Sequence, residues 1–275
     1  MTIREFFNLD PFTNPYEDNR WGGLHIAVLL ICIALCVATY FLKNRDRRLR
    51  VWIIRGVAIA LLAFELTRRV IGLIQMNVGS MSFGEIMASD SFWYHILPRP
   101  WCAISVWLII LAAVIDRDFF YNIASMNAII CVIIFFAYPT AGFNNEFMQF
   151  ENVYSITTHA LLLVGSVSMI TMGLTDFKYT RTKWYNSALR ELVAIVCVLG
   201  YALLQVFVLK IQHNADPMYF MPTGSMEGYV NEVQAIVGLS GPLYVLLYSL
   251  FLAFYFNLFF LIQMAVDKKR AKKLK

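Results

Sequence analysis

The sequence has 275 residues, of which 59% are hydrophobic and only 15% are charged, and its mean hydropathy is +0.61. A water-soluble protein carries about 45–50% apolar and about 25% charged residues, so this composition excludes an ordinary soluble enzyme, a disordered chain and a nucleic-acid-binding protein. The meaning of the net charge of +5 depends on where the 23 Lys and Arg residues lie. All five cysteines lie within apolar stretches, which excludes a disulfide framework in the loops.

Seven mostly apolar runs are long enough to cross a hydrocarbon core of about 30 Å. We expect helices, because a backbone in lipid must satisfy its own N–H and C=O groups and the runs are too uniformly apolar for barrel strands. The predicted fold is therefore all-α, a polytopic membrane protein with a bundle of seven transmembrane helices. The predicted spans are 23–42, 51–76, 96–115, 119–138, 156–174, 191–211 and 241–264.

Basic residues near the ends of short loops set the orientation of a membrane protein. Sixteen Lys and Arg residues fall on one side, whereas Arg4 and Arg20 are the only ones in the segments on the opposite side. This asymmetry predicts a multi-pass protein of the cell membrane, with its N-terminus outside and its C-terminus in the cytoplasm. We expect this membrane to be a bacterial plasma membrane. The sixteen are Lys43, Arg45, Arg47, Arg48, Arg50, Arg117, Lys178, Arg181, Lys183, Arg190, Lys268, Lys269, Arg270, Lys272, Lys273 and Lys275.

The predicted organisation is an outer N-terminal segment (1–22), the transmembrane domain (23–264) and a basic cytoplasmic tail (265–275). The N-terminus lacks the basic region and cleavage site of a signal peptide, so we expect the first span to be retained. The tail is expected to contact anionic lipids of the inner leaflet. The longest connection, 212–240, exceeds the usual length of a turn, which favours a functional loop.

An ionisable residue at the centre of a membrane helix costs about 2.5–3.5 kcal/mol on insertion scales, and the second span carries several of them. Arg55 lies near the cytoplasmic end, where its side chain can extend to the interface. Glu65 and Arg69 have the i, i+4 spacing of a pair on one helix face, which leaves Arg68 unpaired within its own helix. Arg68 is then available to a carboxylate or a phosphate. The alternative is that Arg68 forms an interhelical ion pair that only fixes helix packing, and the sequence favours neither role over the other.

The third span opens with the segment WYHILPRPWCAIS. If this segment is helical, His95, Arg99 and Cys102 lie on one stripe, and Pro98 and Pro100 occupy the first turn. At about 1.5 Å per residue, Cys102, His159 and Arg69 lie roughly 9, 5 and 10 Å below the outer surface. The sequence therefore predicts a thiol, an imidazole and guanidinium groups at one depth in the outer leaflet.

A thiol and an imidazole are the minimum set for nucleophilic acyl transfer, because His can deprotonate Cys and nearby positive charge favours the thiolate. Arg at the same depth can stabilise an oxyanion or hold a phosphate. Against this, a Cys in a membrane helix is usually a packing residue, and a lone His often bonds only across helices. We predict no metal site, because the four His residues are scattered, and we predict no cofactor.

The ordered set of these segments resembles the YwaF-like integral membrane family of bacteria, whose vertebrate relative is transmembrane protein 164. The resemblance rests on the Glu and Arg residues of the second span, and on four segments: LPRPWCAIS (97–105), THALLLVGSVSMITMG (158–173), ADPMYFM (215–221) and GPLY (241–244). It implies a phospholipid acyltransferase in which Cys102 takes an acyl chain as a thioester and His159 supports it. Similarity to the more distant androgen-induced membrane hydrolases, which use a Thr and His pair, keeps a phospholipid hydrolase open as a variant. In this sequence, Asp216 and Pro217 stand where the family tends to have Asn and Tyr.

The leading hypothesis is an enzyme with an outer-leaflet cavity, walled by spans 2, 3, 5 and 7, that moves an acyl chain between membrane phospholipids. Cys102 and His159 are its candidate catalytic residues, and the candidate substrate-binding residues are Glu65, Arg68, Arg69, His95 and Arg99. The first alternative is a carrier or receptor for an anionic or lipid ligand, in which no bond is broken. The second is a membrane assembly subunit whose polar residues serve helix packing.

Overall fold

The computed structural model describes residues 1–10, 20–98, 101–137, 142–143, 148–175, 196 and 200–201. These residues form helices joined by turns and short irregular segments, and no strand occurs among them. The chain divides into two units, one comprising Met1–Pro98 and Cys102–Thr175 and the other Arg99–Trp101 and Asp176–Lys275. Almost all described residues belong to the first unit, to which the account below refers. The predicted all-α class is confirmed for this part of the chain.

Eight helices follow one another in the described part, with a single 3-10 turn at Val78–Ser80 between the third and fourth. Their bounds are α1 Ile3–Phe6, α2 Gly23–Tyr40, α3 Arg47–Gln75, α4 Phe83–Ala88, α5 Asp90–Ile96, α6 Trp101–Ile115, α7 Asp118–Ala137 and α8 Phe150–Thr171. Of the helices in the described ranges, α2, α7 and α8 are long and apolar enough to cross a membrane. Predicted spans 6 and 7 lie outside the described residues, except for positions 196, 200 and 201.

Helix α3 has two contrasting faces along its 29 residues. One face is buried at intervals of three and four residues, as expected for the core stripe of a helix; it comprises Val51, Ile54, Ala58, Leu61, Glu65, Arg69 and Gly72. The other face is exposed yet apolar, comprising Trp52, Ile59, Leu66, Val70 and Ile74. An exposed apolar face is typical of a helix that borders lipid, so Glu65 and Arg69 enter the bundle while the apolar face of α3 turns outward.

Small residues allow α8 to pack closely against α2 and α3. A methyl group on Gly165 would come within 3.0 Å of Val57 Cγ1 in α3, so any larger residue would require Val57 to move. On the side of α2, the hydroxyl of Ser168 donates to Thr39 Oγ1 at 3.1 Å, and Thr39 and Thr171 share a hydrogen bond of 3.2 Å. Small residues and hydroxyl hydrogen bonds are the usual means of helix association in lipid, where apolar burial gives little preference for protein over lipid.

Arginine residues at the start of α3 bind the ends of two other helices. The Arg50 guanidinium donates to the carbonyl of Met172 at the end of α8, and Arg55 Nε donates to Ala113 O near the end of α6 at 3.2 Å. Cations stabilise the carbonyl-bearing ends of helices. Because the first residues of α3 contact the last residues of α6 and α8, α3 runs antiparallel to both, in keeping with the predicted alternation of spans.

The turn between α6 and α7 lies at the end of the unit where α3 begins. Asp116 has a left-handed backbone with φ of 52°, and its carboxylate accepts hydrogen bonds from Arg47 at 2.9 Å and from the hydroxyl of Tyr121 at 3.1 Å. Burial alone would raise the pKa of the Asp116 carboxyl, but the bonds from Arg47 and Tyr121 and the charge of Arg47 hold that pKa below its ordinary value. The carboxylate is therefore ionised at neutral pH.

The predicted third span is not one continuous helix. Helix α5 ends at Ile96, and Leu97 is extended with φ −82° and ψ 144° before α6 begins at Trp101. The physical reason is Pro98, because the residue before a proline is sterically excluded from the helical region. The continuous helix on which the predicted stripe through His95, Arg99 and Cys102 depends is therefore interrupted at Leu97. Arg99 itself lies outside the described residues.

Candidate functional site

A buried carboxylate forms the centre of the candidate site. The side chain of Glu65 is fully buried, and it accepts a hydrogen bond of 2.7 Å from Arg69 Nη2 and another from the hydroxyl of Tyr154. Arg68 Nε lies 3.7 Å from the second carboxylate oxygen. We call Glu65, Arg68, Arg69 and Tyr154 the Glu65 cluster. It confirms the predicted pair of Glu65 and Arg69, whereas the prediction that Arg68 is unpaired within its own helix is wrong.

Arg69 connects the cluster to two further elements. Its Nη1 donates to the carbonyl oxygen of His95 at 3.0 Å, at the end of α5, and its guanidinium lies 5.5 Å from the ring centroid of Trp107 in α6. Since Tyr154 belongs to α8, four helices meet at this point: α3, α5, α6 and α8. The structure therefore brings together four predicted binding residues, Glu65, Arg68, Arg69 and His95.

Gly72 makes room for His95 beside the cluster. It lies one turn after Arg69 on the buried face of α3, and a methyl group placed on it would come within 2.2 Å of His95 Nδ1. Only a residue without a side chain lets α5 pack this closely on α3. The position of the His95 carbonyl, and with it one bond of Arg69, thus depends on a glycine that the sequence analysis did not single out.

Three buried hydrogen-bond donors next to the cluster have no acceptor among the described residues: Arg69 Nε, Trp107 Nε1 and the hydroxyl of Thr158. Thr158 follows Tyr154 by four residues, so both lie on the same face of α8 as the residues that contact α3. A buried polar group without a partner costs about 1–3 kcal/mol, and buried polar groups normally have partners. Each of these three donors can therefore bind an acceptor that the described residues do not supply.

Cys102 lies at the start of α6, beside the cluster. Its side chain is partly buried, and the charges of Glu65 and Arg68 are near enough to act on its thiol. The neighbouring Cys131 is buried deeper, 3.3 Å from the hydroxyl of Ser105. Within the described ranges Cys32, Cys36, Cys102 and Cys131 are all free thiols, and Cys102 is the one placed beside charged groups.

His159 is held firmly by its own helix and by α7. Its ring stacks on Phe135 with 3.7 Å between ring centroids, and its Nδ1 lies 2.7 Å from the carbonyl oxygen of Ser155. Because a carbonyl only accepts, Nδ1 carries the proton of the neutral ring and Nε2 carries the lone pair. In the part of the chain that the structure describes, no hydrogen bond joins His159 to Cys102.

Three residues of the site escaped the sequence analysis: Tyr154, Trp107 and Thr158. Tyr154 and Thr158 belong to the same YSITTHALLL segment that pointed to His159. Counting depth along the predicted spans leaves Tyr154 just outside span 5 and puts Glu65 about 16 Å below the outer surface, so the sequence contains no signal of their contact. Trp107 gave no such signal, because an indole within an apolar run is indistinguishable from a packing residue. Its contact with Arg69 arises only from the approach of α6 to α3.

The described residues hold no group of three His, Cys, Asp or Glu side chains suited to a metal ion. The site consists instead of one carboxylate, two guanidinium groups, a phenol, a thiol and unsatisfied donors. Such groups can donate hydrogen bonds and positive charge to an oxygen-bearing group, and a thiol can act as a nucleophile. No protein-family model, curated protein or solved structure matches this chain.

Proposed function

We propose that this chain is a multi-pass membrane protein that binds a membrane phospholipid through the polar region of the Glu65 cluster. The observation that carries the proposal is the set of buried donors that have no acceptor among the described residues, Arg69 Nε, Trp107 Nε1 and Thr158 Oγ1. A phosphate or acyl ester supplies several acceptor oxygens in one group, which suits more than one donor. The apolar outer face of α3 and the three helices able to span a membrane support a lipid as the source of that group.

The exposure of the cluster supports entry from its edge. Glu65 is fully buried, whereas the side chains of Arg69 and Arg68 are 10% and 13% exposed. A ligand arriving at Arg68 would meet positive charge first, while Glu65 fixes both guanidinium groups from behind. An arginine held in this way needs little reorganisation to bind a charged oxygen.

Acyl transfer is a second candidate, and the position of Cys102 beside the cluster favours it. Cys102 would lose its thiol proton to a base such as His159 Nε2, and its sulfur would attack the acyl carbonyl carbon. The C–S bond would form as the ester C–O bond breaks, with the proton passing to the lysophospholipid oxygen that leaves. A second lysophospholipid hydroxyl would reverse these steps and take the acyl chain. Charge and donors of the cluster would stabilise the oxyanion.

The binding proposal is tested by removing donors that have no partner among the described residues. Thr158→Val keeps the side-chain shape, and Trp107→Phe keeps an aromatic ring beside Arg69. Neither change breaks a hydrogen bond of the described residues, so both variants should fold. Binding of a fluorescent phospholipid to full-length protein in nanodiscs should weaken about tenfold for each lost bond worth about 1.4 kcal/mol. Ser125→Ala, which removes a buried hydroxyl bonded to Asn122 O, is the matched control. Unchanged binding in both donor variants would refute the proposal.

Acyl transfer is tested separately with a phospholipid that carries a labelled acyl chain. Mass spectrometry of the purified protein should then find the label on Cys102 as a thioester, and Cys102→Ala should abolish movement of the chain. Cys131→Ala is the control, since this neighbouring thiol is buried deeper. If Cys102→Ala leaves acyl movement intact, the nucleophile is wrongly assigned. If lipid binds and no thioester forms, the protein is a binder or carrier.

A further inference from the structure

A recess of about 130 Å³ lies at the first turns of α3, far from the Glu65 cluster. At about 1.5 Å per residue, the step from Arg48 to Glu65 along α3 covers roughly 25 Å, which is most of a hydrocarbon core. The recess therefore belongs to the opposite side of the membrane from the Glu65 cluster. Its lining residues are Arg47, Arg48, Val51, Trp52, Arg55 and Asp116.

Positive charge dominates the recess, with three guanidinium groups against one carboxylate. The carboxylate of Asp116 is already engaged by Arg47 and by the hydroxyl of Tyr121. Arg55 uses Nε to bind Ala113 O, and the side chain of Arg48 is exposed. Among the described residues, neither the side chain of Arg48 nor the Nη groups of Arg55 form a hydrogen bond or ion pair, and Arg48 binds Asp46 only through its backbone N–H. The recess thus offers guanidinium donors to an anion from outside.

Trp52 marks the membrane level of this recess. It is 61% exposed and ends the apolar outer face of α3 that runs through Ile59 and Leu66. Tryptophan at the end of an apolar span prefers the headgroup region of the bilayer. The guanidinium of Arg55 lies 5.0 Å from the Trp52 ring centroid, an arrangement that holds the cation at this level. The recess therefore opens where lipid phosphates lie.

We propose that this recess is a second lipid site, which binds the phosphate of an anionic phospholipid in the leaflet that faces the start of α3. Arg48 and Arg55 would bind the phosphate oxygens, Trp52 would pack against the glycerol and upper acyl chain, and Arg47 would neutralise Asp116. The predicted orientation makes this the cytoplasmic leaflet, whose anionic lipids attract basic residues. The proposal stands independently of the function assigned to the Glu65 cluster.

Native mass spectrometry of the full-length protein, titrated with phosphatidylglycerol in detergent, resolves the first bound lipid. We expect phosphatidylglycerol to bind more tightly than phosphatidylcholine, and Arg48→Gln to weaken the first binding event about fivefold, as expected for one arginine near the surface. Since the Arg48 side chain bonds to nothing in the described residues, its loss should leave the melting temperature unchanged. Arg48→Gln should weaken phosphatidylglycerol binding by the same factor when it is combined with Thr158→Val, which distinguishes this site from the Glu65 cluster.

Arg45→Gln is the matched control, because it removes the same charge from the same exposed segment outside the recess. It should weaken binding by much less than Arg48→Gln does. An equal loss in both variants would mean general attraction to basic charge and would overturn the proposal. Equal binding of phosphatidylcholine, or full competition by soluble glycerol phosphate, would also overturn it, since a bilayer lipid is then not the specific ligand.

Discussion

The most informative perturbation is the removal of the Glu65 carboxylate by Glu65→Ala. This side chain is fully buried and binds Arg69 at 2.7 Å, Tyr154 through its hydroxyl, and Arg68 at 3.7 Å. Its loss leaves the Tyr154 hydroxyl and the Arg69 Nη2 group buried without an acceptor, at about 1–3 kcal/mol each. The sum agrees with the loss of about 3–5 kcal/mol found when one partner of a buried ion pair is removed.

The assay is denaturant-induced unfolding of the purified full-length protein in mixed micelles, with Glu65→Gln as a graded comparison. Glutamine keeps an oxygen for Arg69 but loses the charge. We therefore expect a smaller loss in the free energy of unfolding, about 1.5–3 kcal/mol, which is the contribution of a hydrogen bond to a charged group. The single variants Glu65→Leu and Arg69→Leu, together with the double variant that carries both changes, form a double-mutant cycle. Removing both charges should cost less than the sum of the single changes, with a coupling above about 0.5 kcal/mol.

Two results would refute this reasoning. If Glu65→Ala unfolds within about 1 kcal/mol of the native protein, the change is no larger than that of a typical point mutation, and the carboxylate is not the centre of a buried network. If the two single changes add up to the double change, Glu65 and Arg69 act separately. The proposal for a ligand at the cluster would then lose its basis, because the guanidinium groups would not be held in place.

Three further predictions concern backbone and turn positions, each measured by thermal unfolding. Gly72→Ala drives a methyl into the His95 ring and should cost about 1–3 kcal/mol, whereas Gly56→Ala, with nothing within 4 Å, should be neutral or stabilising; similar effects would contradict the packing. Gly165→Val should destabilise through its clash with α3, and an unchanged midpoint would contradict the close approach. Asp116→Asn keeps a residue that tolerates the left-handed backbone and should cost about 0.2–1 kcal/mol, while Asp116→Ala should cost about 1 kcal/mol more. Because the pKa of Asp116 is lowered from 3.8, its contribution is present at neutral pH and is lost as the pH falls below that value; Asp116→Asn should remove this dependence.

Part of the candidate site follows from spacing within one helix. Glu65 and Arg69 pair because i, i+4 positions share a helix face, and this rule needs no knowledge of the rest of the chain. Arg68 shows the limit of the rule, since its long side chain reaches back to Glu65 at i, i+3, as the same principle allows. The effect of Pro98 on the backbone of Leu97 is also local and can be predicted from the sequence. The apolar run continues past this proline, however, and therefore resembled a single helix.

The sequence by itself determined that the chain suits a lipid environment, that it is helical, and which polar residues are costly in a membrane. These conclusions rest on composition, run length and charge position, none of which depends on contacts between distant residues. What only the tertiary structure decided is which of these residues meet. Tyr154 reaches Glu65 across 89 positions of sequence, and Trp107 faces Arg69 because α6 runs beside α3. Such pairings depend on helix packing at Gly72 and Gly165, where the absence of a side chain sets the distance between helices.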